Sequence, residues 1–439
     1  MNAETASAIG GNDTPGDDRW LKAWAVGYAA AGGASVLLPL YALSLDAGAF
    51  LVGLMASTAA FAGVPGALLW GRIAGRTGRR RPFVLLALVA TAAVLLVSPM
   101  LRGPVALVVA NAALWFAVTA ASPVLNLVVV EGVDQSAWDG RIARLNALQG
   151  YGWLAGLVVG TVWSGVAPRL GYSVVAAQRT LLFGFGLLAV AATVLFLRFY
   201  PAAAHVSDER FLRRYRSLSR ENWRGDRFLR GLPYGPGRVY WGIRSIRSGK
   251  LSERFGRPLL GYLVATALFS GGFAVFWGPM PAHLTGIGFG DGAVFLCFLA
   301  NTVGSTLCYD PVGRLMKRYE AVRMQVGALV ARAVLFAVTA VLASQLLVGG
   351  VLAGIGVTWA VVAVTTTGIV ARLAAERVRG EALGLVVAIT GIGGGVGNVV
   401  GGAVAAATNP LTTFGLAGVI VVAGATLAVA VVGATPARP

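Results

Sequence analysis

Residues Gly71–Arg81 of this sequence read GRIAGRTGRRR, a glycine- and arginine-rich segment that separates two long apolar stretches. A related segment, Gly313–Glu320, reads GRLMKRYE and also follows a long apolar stretch. An offset of 242 residues superimposes Gly71 on Gly313, Arg72 on Arg314, Arg76 on Arg318, Arg81 on Arg323 and Pro39 on Pro281. Glycine and arginine sites that recur at one offset predict an internal repeat, and therefore two halves of similar structure.

Most of the 439 residues are apolar: hydrophobic residues make up 57% and charged residues 12%, with a mean hydropathy of +0.74. A soluble domain carries about 25% charged residues, so this chain lacks the polar surface that water requires. Composition therefore excludes soluble, disordered, collagen-like and disulfide-scaffold proteins and predicts an integral membrane protein. Cys297 and Cys308 fall on one predicted helix, about 16 Å apart along its axis, which is too far for a disulfide between them.

Apolar stretches of roughly 20 residues, the length at which a helix crosses a bilayer, recur along the chain. The twelve predicted spans are 21–45, 48–73, 82–101, 104–130, 146–168, 179–200, 258–282, 292–313, 324–348, 350–374, 382–407 and 411–434. They predict an all-α membrane protein with two pseudo-symmetric six-helix bundles, residues 21–200 and 258–434. The remaining predicted segments are an N-terminal tail 1–20, a basic linker 201–257 and a C-terminal tail 435–439.

Basic residues concentrate at one end of the predicted spans, and that end faces the cytoplasm by the positive-inside rule. The loops at the other end keep only Arg102, Arg169 and Arg179. The protein is therefore predicted to lie in the cell membrane. Both of its termini and the linker are predicted to be on the cytoplasmic side. The arginine-rich linker favours a tether on anionic headgroups, with a nucleic-acid or partner-protein site as the alternative. The net charge of +18 is mostly arginine, which indicates a GC-rich prokaryotic genome rather than a nucleic-acid-binding protein.

The segment Gly71–Arg81 resembles the loop motif between spans two and three of the major facilitator superfamily, and Gly313–Glu320 resembles its echo between spans eight and nine. Residues Ala375–Gly384, which lead into the glycine-rich run Gly391–Gly402, resemble the family's passage from span ten to span eleven. The resemblance covers about residues 20–434. It implies a secondary transporter with a central cavity and alternating access.

The resemblance also implies a conformational gate at the two motif segments. The residues given this role are Gly71, Arg72, Arg76, Gly78, Arg79, Arg80, Gly313, Arg314 and Arg318. The family motif usually has Asp where this chain has Gly75, and often an Arg within span four, which this chain lacks. The usual charge latch on the cytoplasmic side is therefore expected to be missing or rebuilt.

Polar residues of predicted span four recur on one helical face at spacings of four, four, three and four: Asn111, Trp115, Thr119, Ser122 and Asn126. Polar side chains in hydrocarbon turn toward protein or water, so this stripe predicts a cavity wall or helix–helix hydrogen bonds. The other predicted substrate-cavity residues are Tyr28, Phe269, Phe273, Trp277, Asn301, Trp359 and Thr366. Rings and hydroxyls suit a neutral or amphipathic organic molecule.

Charged residues inside the predicted spans are few. Arg332 lies about eight residues into span nine, where its repeat mate is Ala90, and Asp310 lies near the inner end of span eight. Asp310 is predicted to pair with Arg332, or with Arg314 one turn on. Asp310, Arg332 and Glu131 are the candidate residues for coupling transport to another ion.

An acidic cluster, formed by Glu131, Asp134 and Asp139, stands at the inner end of span four. It loosely resembles half of the acidic metal site of intramembrane prenyltransferases. Asp139 falls off the helical face that the other two share, so we expect loop ion pairs with Arg141 and Arg144 instead. No metal or cofactor is expected.

The sequence therefore predicts a monomeric secondary transporter for a small, neutral or hydrophobic organic solute. Its expected direction is efflux or exchange, with protons as the candidate coupling ion and membrane lipid as its other partner. The open alternatives are an uptake permease of the same fold, a polytopic membrane enzyme and a non-transporting receptor.

Overall fold

The computed structural model describes residues 19–62, 80–130, 138–200, 255–316, 318–375 and 378–433. Predictions for the two tails, for the linker up to residue 254 and for the motif residues 71–79 lie outside these ranges. So do those for Glu131 and Asp134.

The described residues are mostly helical. We label the long helices α1 (Arg19–Leu43), α2 (Ala49–Ala62), α3 (Arg81–Val97), α4 (Pro104–Val130), α5 (Trp138–Val166), α6 (Val174–Phe199), α7 (Arg257–Trp277), α8 (Asp291–Leu315), α9 (Ala321–Thr339), α10 (Gln345–Leu373), α11 (Arg379–Ala407) and α12 (Pro410–Gly433). Short 3-10 turns at Ser98–Met100 and Ala167–Leu170 follow α3 and α5. A short helix, Met280–Gly286, follows α7.

Ten helices within the described ranges are long and apolar enough to cross a membrane. The other two are α2, of which 14 residues are described, and α5, in which glycines, tryptophans and Gln149 lower the hydropathy. Several predicted boundaries differ from the structure by five residues or more, and the largest difference is at α9, which ends at Thr339 and not at residue 348. Helix α5 begins eight residues earlier than predicted, because a helix extends into water beyond the apolar stretch. Helix α7 ends at Trp277, because Pro279 cannot continue it.

Helix–helix contacts repeat along the chain at an interval of six helices. In the first half α1 packs on α5 and α6, and α3 packs on α4 and α6; in the second half α7 packs on α11 and α12, and α9 packs on α10 and α12. Matching helices of the two halves thus pack on matching neighbours. We call the two sets the N-group (α1–α6) and the C-group (α7–α12).

Glycines bring matching helices into backbone contact in both groups. A Cβ added at Gly156 of α5 would overlap the carbonyl oxygen of Ala29 in α1. A Cβ at Gly397 of α11 would overlap the carbonyl oxygen of Gly271 in α7. Residues 156 and 397 are 241 apart, and residues 29 and 271 are 242 apart. Close approach through small residues is how helices associate where lipid is the solvent.

The two groups touch through α5 with α8 and through α2 with α11. Gly160 of α5 lies against the ring of Phe295, and Gly53 of α2 lies against Gly402. The Ser57 hydroxyl donates to the Gly395 carbonyl oxygen at 2.7 Å. These contacts lie toward the end of the helices that the arginine distribution predicts to face outward.

Candidate substrate cavity

A cavity of about 340 Å³ lies between the N-group and the C-group. Helices α1, α2, α4 and α5 supply one side, while α7, α8 and the Gly278–Pro281 connection supply the other. Its lining residues are Ser35, Pro39, Val52, Ala56, Ala59, Asn111, Trp115, Trp153, Trp277, Gly278, Pro281, Phe298, Asn301 and Thr302. A molecule held here touches both groups of helices.

Aromatic rings form much of the cavity wall. The Trp115 and Trp153 rings lie 5.9 Å apart between centroids, on the N-group side. The Trp277 and Phe298 rings lie 5.4 Å apart, on the C-group side. Flat π-faces on opposite walls suit a solute that contains a ring or an extended apolar surface.

Amide and hydroxyl groups interrupt the aromatic wall. Asn111 is buried and its Nδ2 donates to the carbonyl oxygen of Met55 at 2.9 Å, which joins α4 to α2. The Ser35 hydroxyl donates to the Gly32 carbonyl oxygen at 2.6 Å, and the Thr302 hydroxyl donates to that of Phe298 at 2.9 Å. Asn301 completes the polar set. These neutral groups can orient a solute through hydrogen bonds without demanding that it be charged.

The structure brings four of the predicted cavity residues together in this wall: Asn111, Trp115, Trp277 and Asn301. Tyr28 stands behind it, with its ring 5.9 Å from that of Trp153. Thr119 and Ser122 are half-buried farther along α4, and Asn126 is buried. Phe269 and Phe273 belong to the hydrophobic core. Thr366 accepts a hydrogen bond from Gln325 Nε2 at 2.8 Å.

Trp153, Phe298 and Thr302 line the cavity although sequence reasoning did not select them. Trp153 stands in the glycine-rich part of α5, between Gly152 and Gly156, where the helix approaches α1. A large ring among contact glycines was the available signal. Phe298 and Thr302 fall on the same helical face of α8 as Asn301, at the i, i+3 and i+4 positions, so helical periodicity was the available signal.

Arg332 is buried in the C-group, with 1% of its surface exposed. Its Nε donates to the Thr358 hydroxyl at 2.9 Å, and a terminal nitrogen donates to the carbonyl oxygen of Ile355. Its guanidinium carbon lies 4.2 Å from the centroid of the Phe273 ring and 5.7 Å from that of Trp359.

The candidate coupling acid Asp310 is exposed on α8. Among the described residues, the structure shows no ion pair from Asp310 to either predicted partner, Arg332 or Arg314. The second motif segment is described except for Lys317: its first three residues are the last residues of α8, and the remainder leads to α9. Of the first segment, Arg80 and Arg81 are described, at the start of α3.

A hydrogen-bond chain crosses between the groups at the end predicted to face outward. The Ser44 hydroxyl donates to Gln178 Oε1 at 2.6 Å, and Gln178 Nε2 donates to Asp291 Oδ2 at 2.8 Å. Next to it, Arg179 Nε donates to the Tyr41 hydroxyl at 2.9 Å. Gln178 is buried, so its amide lies in an environment that strengthens these bonds.

Comparison with known proteins agrees with this architecture. The family model described as Major Facilitator Superfamily matches residues 262–439. Two solved structures of the nucleoside transporter NupG, one of them a single-residue variant, resemble the chain with TM-scores of 0.65 for NupG and 0.67 for the variant. Each is 14% identical, and each alignment covers 94% of this chain and 98% of the other. No curated protein sequence matches.

At that identity the likeness to NupG shows the fold alone. It extends over nearly the whole chain, whereas the family model covers the C-group helices from within α7 onward. The two findings, with the motif segments and the repeated helix contacts, agree with the resemblance to the Major Facilitator Superfamily, whose model matches the C-terminal part of the chain.

Proposed function

We propose that this chain is a non-enzymatic secondary transporter with twelve spans in two six-helix bundles, residues 21–200 and 258–434. One observation carries the proposal: the cavity lies between the two groups and takes wall residues from both. A solute bound there is exposed to one side of the membrane or the other according to how the groups are tilted, which is alternating access. The proposed location is the cell membrane, with both termini cytoplasmic.

The cavity chemistry supports a small, neutral or amphipathic organic solute. Trp115, Trp153, Trp277 and Phe298 supply ring faces, and Asn111 and Asn301 supply amides. A nucleoside has this combination of flat ring and hydroxyl groups, and the solved neighbours are nucleoside transporters. We therefore propose nucleosides such as uridine as the first probes. Efflux or exchange is the proposed direction, and an uptake permease is the alternative.

The inter-group contacts support a state that is closed at the predicted outer end. Gly160 against Phe295, Gly53 against Gly402 and the Gln178–Asp291 hydrogen bond lie on that side of the cavity. The arginines of the first motif segment are proposed as the gate at the opposite end. A coupling role for protons remains a prediction, with Asp310 as the candidate acid.

A ligand-stabilisation screen tests the solute class. A solute that binds only the folded transporter stabilises it and raises the melting temperature of the protein. The stabilisation grows with the logarithm of the solute concentration once that concentration exceeds the dissociation constant. Neutral ring-bearing solutes should shift the melting temperature of the purified protein. Neutral sugars and dicarboxylates of similar size serve as comparisons, and a shift confined to them would contradict the proposed class.

Cysteine labelling tests the cavity directly. In a background of Cys297→Ala and Cys308→Ser, we expect Trp115→Cys and Asn301→Cys to react with a small polar thiol reagent. Ala117→Cys and Ala121→Cys are the matched controls on α4, because both alanines are buried in packed protein with at most 3% exposure. Equal labelling of both sets, measured by mass spectrometry, would show that no water-filled cavity distinguishes them.

A further inference from the structure

Arg332 carries a positive charge into the interior of the C-group without a carboxylate beside it. The Arg332 bonds run to neutral groups, the Thr358 hydroxyl and the Ile355 carbonyl oxygen. The described residues include no acid in an ion pair with Arg332. An arginine stays protonated even when buried, so the charge persists. Inside a membrane protein such a charge is costly, and it is retained where it has a use.

The repeat shows that the scaffold does not need this arginine. Ala90 of α3 stands at the position of the N-group that corresponds to Arg332 of α9. Helix α3 packs on α4 as α9 packs on α10, so the same helix arrangement forms with a methyl group in place of a guanidinium. Packing alone therefore does not explain why this position carries a charge.

Neighbouring rings stabilise the charge without cancelling it. The guanidinium lies over Phe273 at 4.2 Å and within 6.0 Å of the Phe336 and Trp359 ring centroids. Ring faces attract a cation through their quadrupole, which offsets part of the cost of burial. Rings have no net charge, so the positive field of Arg332 still extends into the surrounding low-dielectric protein.

The charge stands close to the cavity wall. Arg332 bonds to Ile355, the neighbour of Gly356, and a Cβ added at Gly356 would overlap the carbonyl oxygen of Asn301. Asn301 lines the cavity. The guanidinium thus contacts α10 at Ile355, and α10 in turn contacts α8 at Asn301, on the C-group side of the cavity. Ser35 lines the N-group side on α1 and serves as the comparison position on the opposite wall.

We propose that Arg332 makes the cavity electrostatically positive and thereby determines specificity: the transporter accepts neutral solutes and disfavours organic cations of the same size. This inference rests on the proposed function, since it requires that solutes enter the cavity. Arg332 acts here through its field and need not touch the solute. A unit charge at about 10 Å, in a medium with an effective dielectric constant of about 20, changes a rate by about tenfold for a charged reactant.

Reporter cysteines measure this field without knowledge of the natural solute. Asn301→Cys and Ser35→Cys are made separately in the background that lacks the native cysteines. Each is reacted with two thiol reagents of similar size, the anionic ethylsulfonate and the cationic ethyltrimethylammonium methanethiosulfonates. The measured quantity is the ratio of the anionic to the cationic rate, divided by the same ratio for a free thiol in solution.

We expect this normalised ratio to be higher at position 301 than at position 35. Arg332→Met should lower the ratio at position 301 by about tenfold or more, while Arg332→Lys should largely preserve it. If Arg332→Met does not fold, the comparison of positions 301 and 35 with Arg332 intact still decides. Equal ratios at the two positions, or no effect of Arg332→Met, would overturn the inference and leave the proposed function intact. Failure of both reagents at both positions would overturn the proposed function as well.

Discussion

Oxidation is expected to stop transport almost completely in a variant that carries Ser164→Cys and Gly292→Cys. A Cβ built on Gly292 of α8 lies 3.6 Å from the Cβ of Ser164 in α5, within the distance range of disulfide-bonded cysteines. The bond would join the N-group to the C-group at the predicted outer end. If transport requires these helices to separate, the covalent link holds the cavity in one state.

The measurement is flux of a solute found in the stabilisation screen, in vesicles, before and after oxidation and then after reduction. The variant should keep its affinity for that solute, because the bond lies outside the cavity wall. Ser164→Cys alone and Gly292→Cys alone, each without Cys297 and Cys308, are the controls and should transport under both conditions. Full transport by the oxidised, demonstrably cross-linked double variant would refute alternating access through this interface.

Replacing Gly156 with valine is expected to remove most of the folded protein. Any Cβ at this position overlaps the Ala29 carbonyl oxygen and comes within 2.6 Å of the Gly33 backbone nitrogen. Both are backbone atoms of α1, so neither can move as a flexible side chain would. Overpacking a tight contact typically costs about 1–3 kcal/mol, and here a whole helix must shift, so we expect a cost of at least about 3 kcal/mol.

Gly150→Val is the matched control for this experiment. Gly150 stands on the same helix, and a Cβ there meets nothing within 4 Å. The measurement is the yield of monodisperse protein after detergent extraction, followed by its melting temperature. Similar yields for the two variants would mean that α1 and α5 are not in backbone contact at this glycine.

The helices could largely be predicted from the sequence because hydrocarbon imposes a simple length requirement. A stretch of about 20 apolar residues must form a helix, since unpaired backbone groups are too costly in lipid. The ends of the helices are less certain, because this requirement applies only to the part of a helix that lies in hydrocarbon. Trp138 begins α5 in a segment with Asp139 and Arg141, where water rather than lipid is the solvent and hydropathy gives no signal.

The polar stripe on α4 illustrates what periodicity can and cannot predict about a site. It predicts a face that turns toward protein or water, and the residues of that face are buried or half-buried in the structure. It cannot say which neighbour covers each turn of that face. Asn111 and Trp115 line the cavity, whereas Asn126, on the same face, lies buried near the other end of the helix.

Arg332 shows the same limit for charge. The sequence shows a charged residue within a span and suggests an acid as its partner. The structure instead places hydroxyl, carbonyl and ring groups around it, supplied by α7, α9 and α10. Those partners are neutral and distant in sequence, so no pattern of charges could indicate them.

Glycine backbones at the boundary between the two groups have a consequence for the speed of the transport cycle. Where side chains from two surfaces interdigitate, many of them must change rotamer before the surfaces can separate. The same side chains must return to their original rotamers before the surfaces can pack again. Gly53 against Gly402 offers no rotamers to rearrange, and the Ser57–Gly395 and Gln178–Asp291 hydrogen bonds can exchange with water. At such a boundary the helices can separate and rejoin as rigid bodies. Few side chains have to change rotamer, so rotamer rearrangement adds little to the barrier for opening and closing.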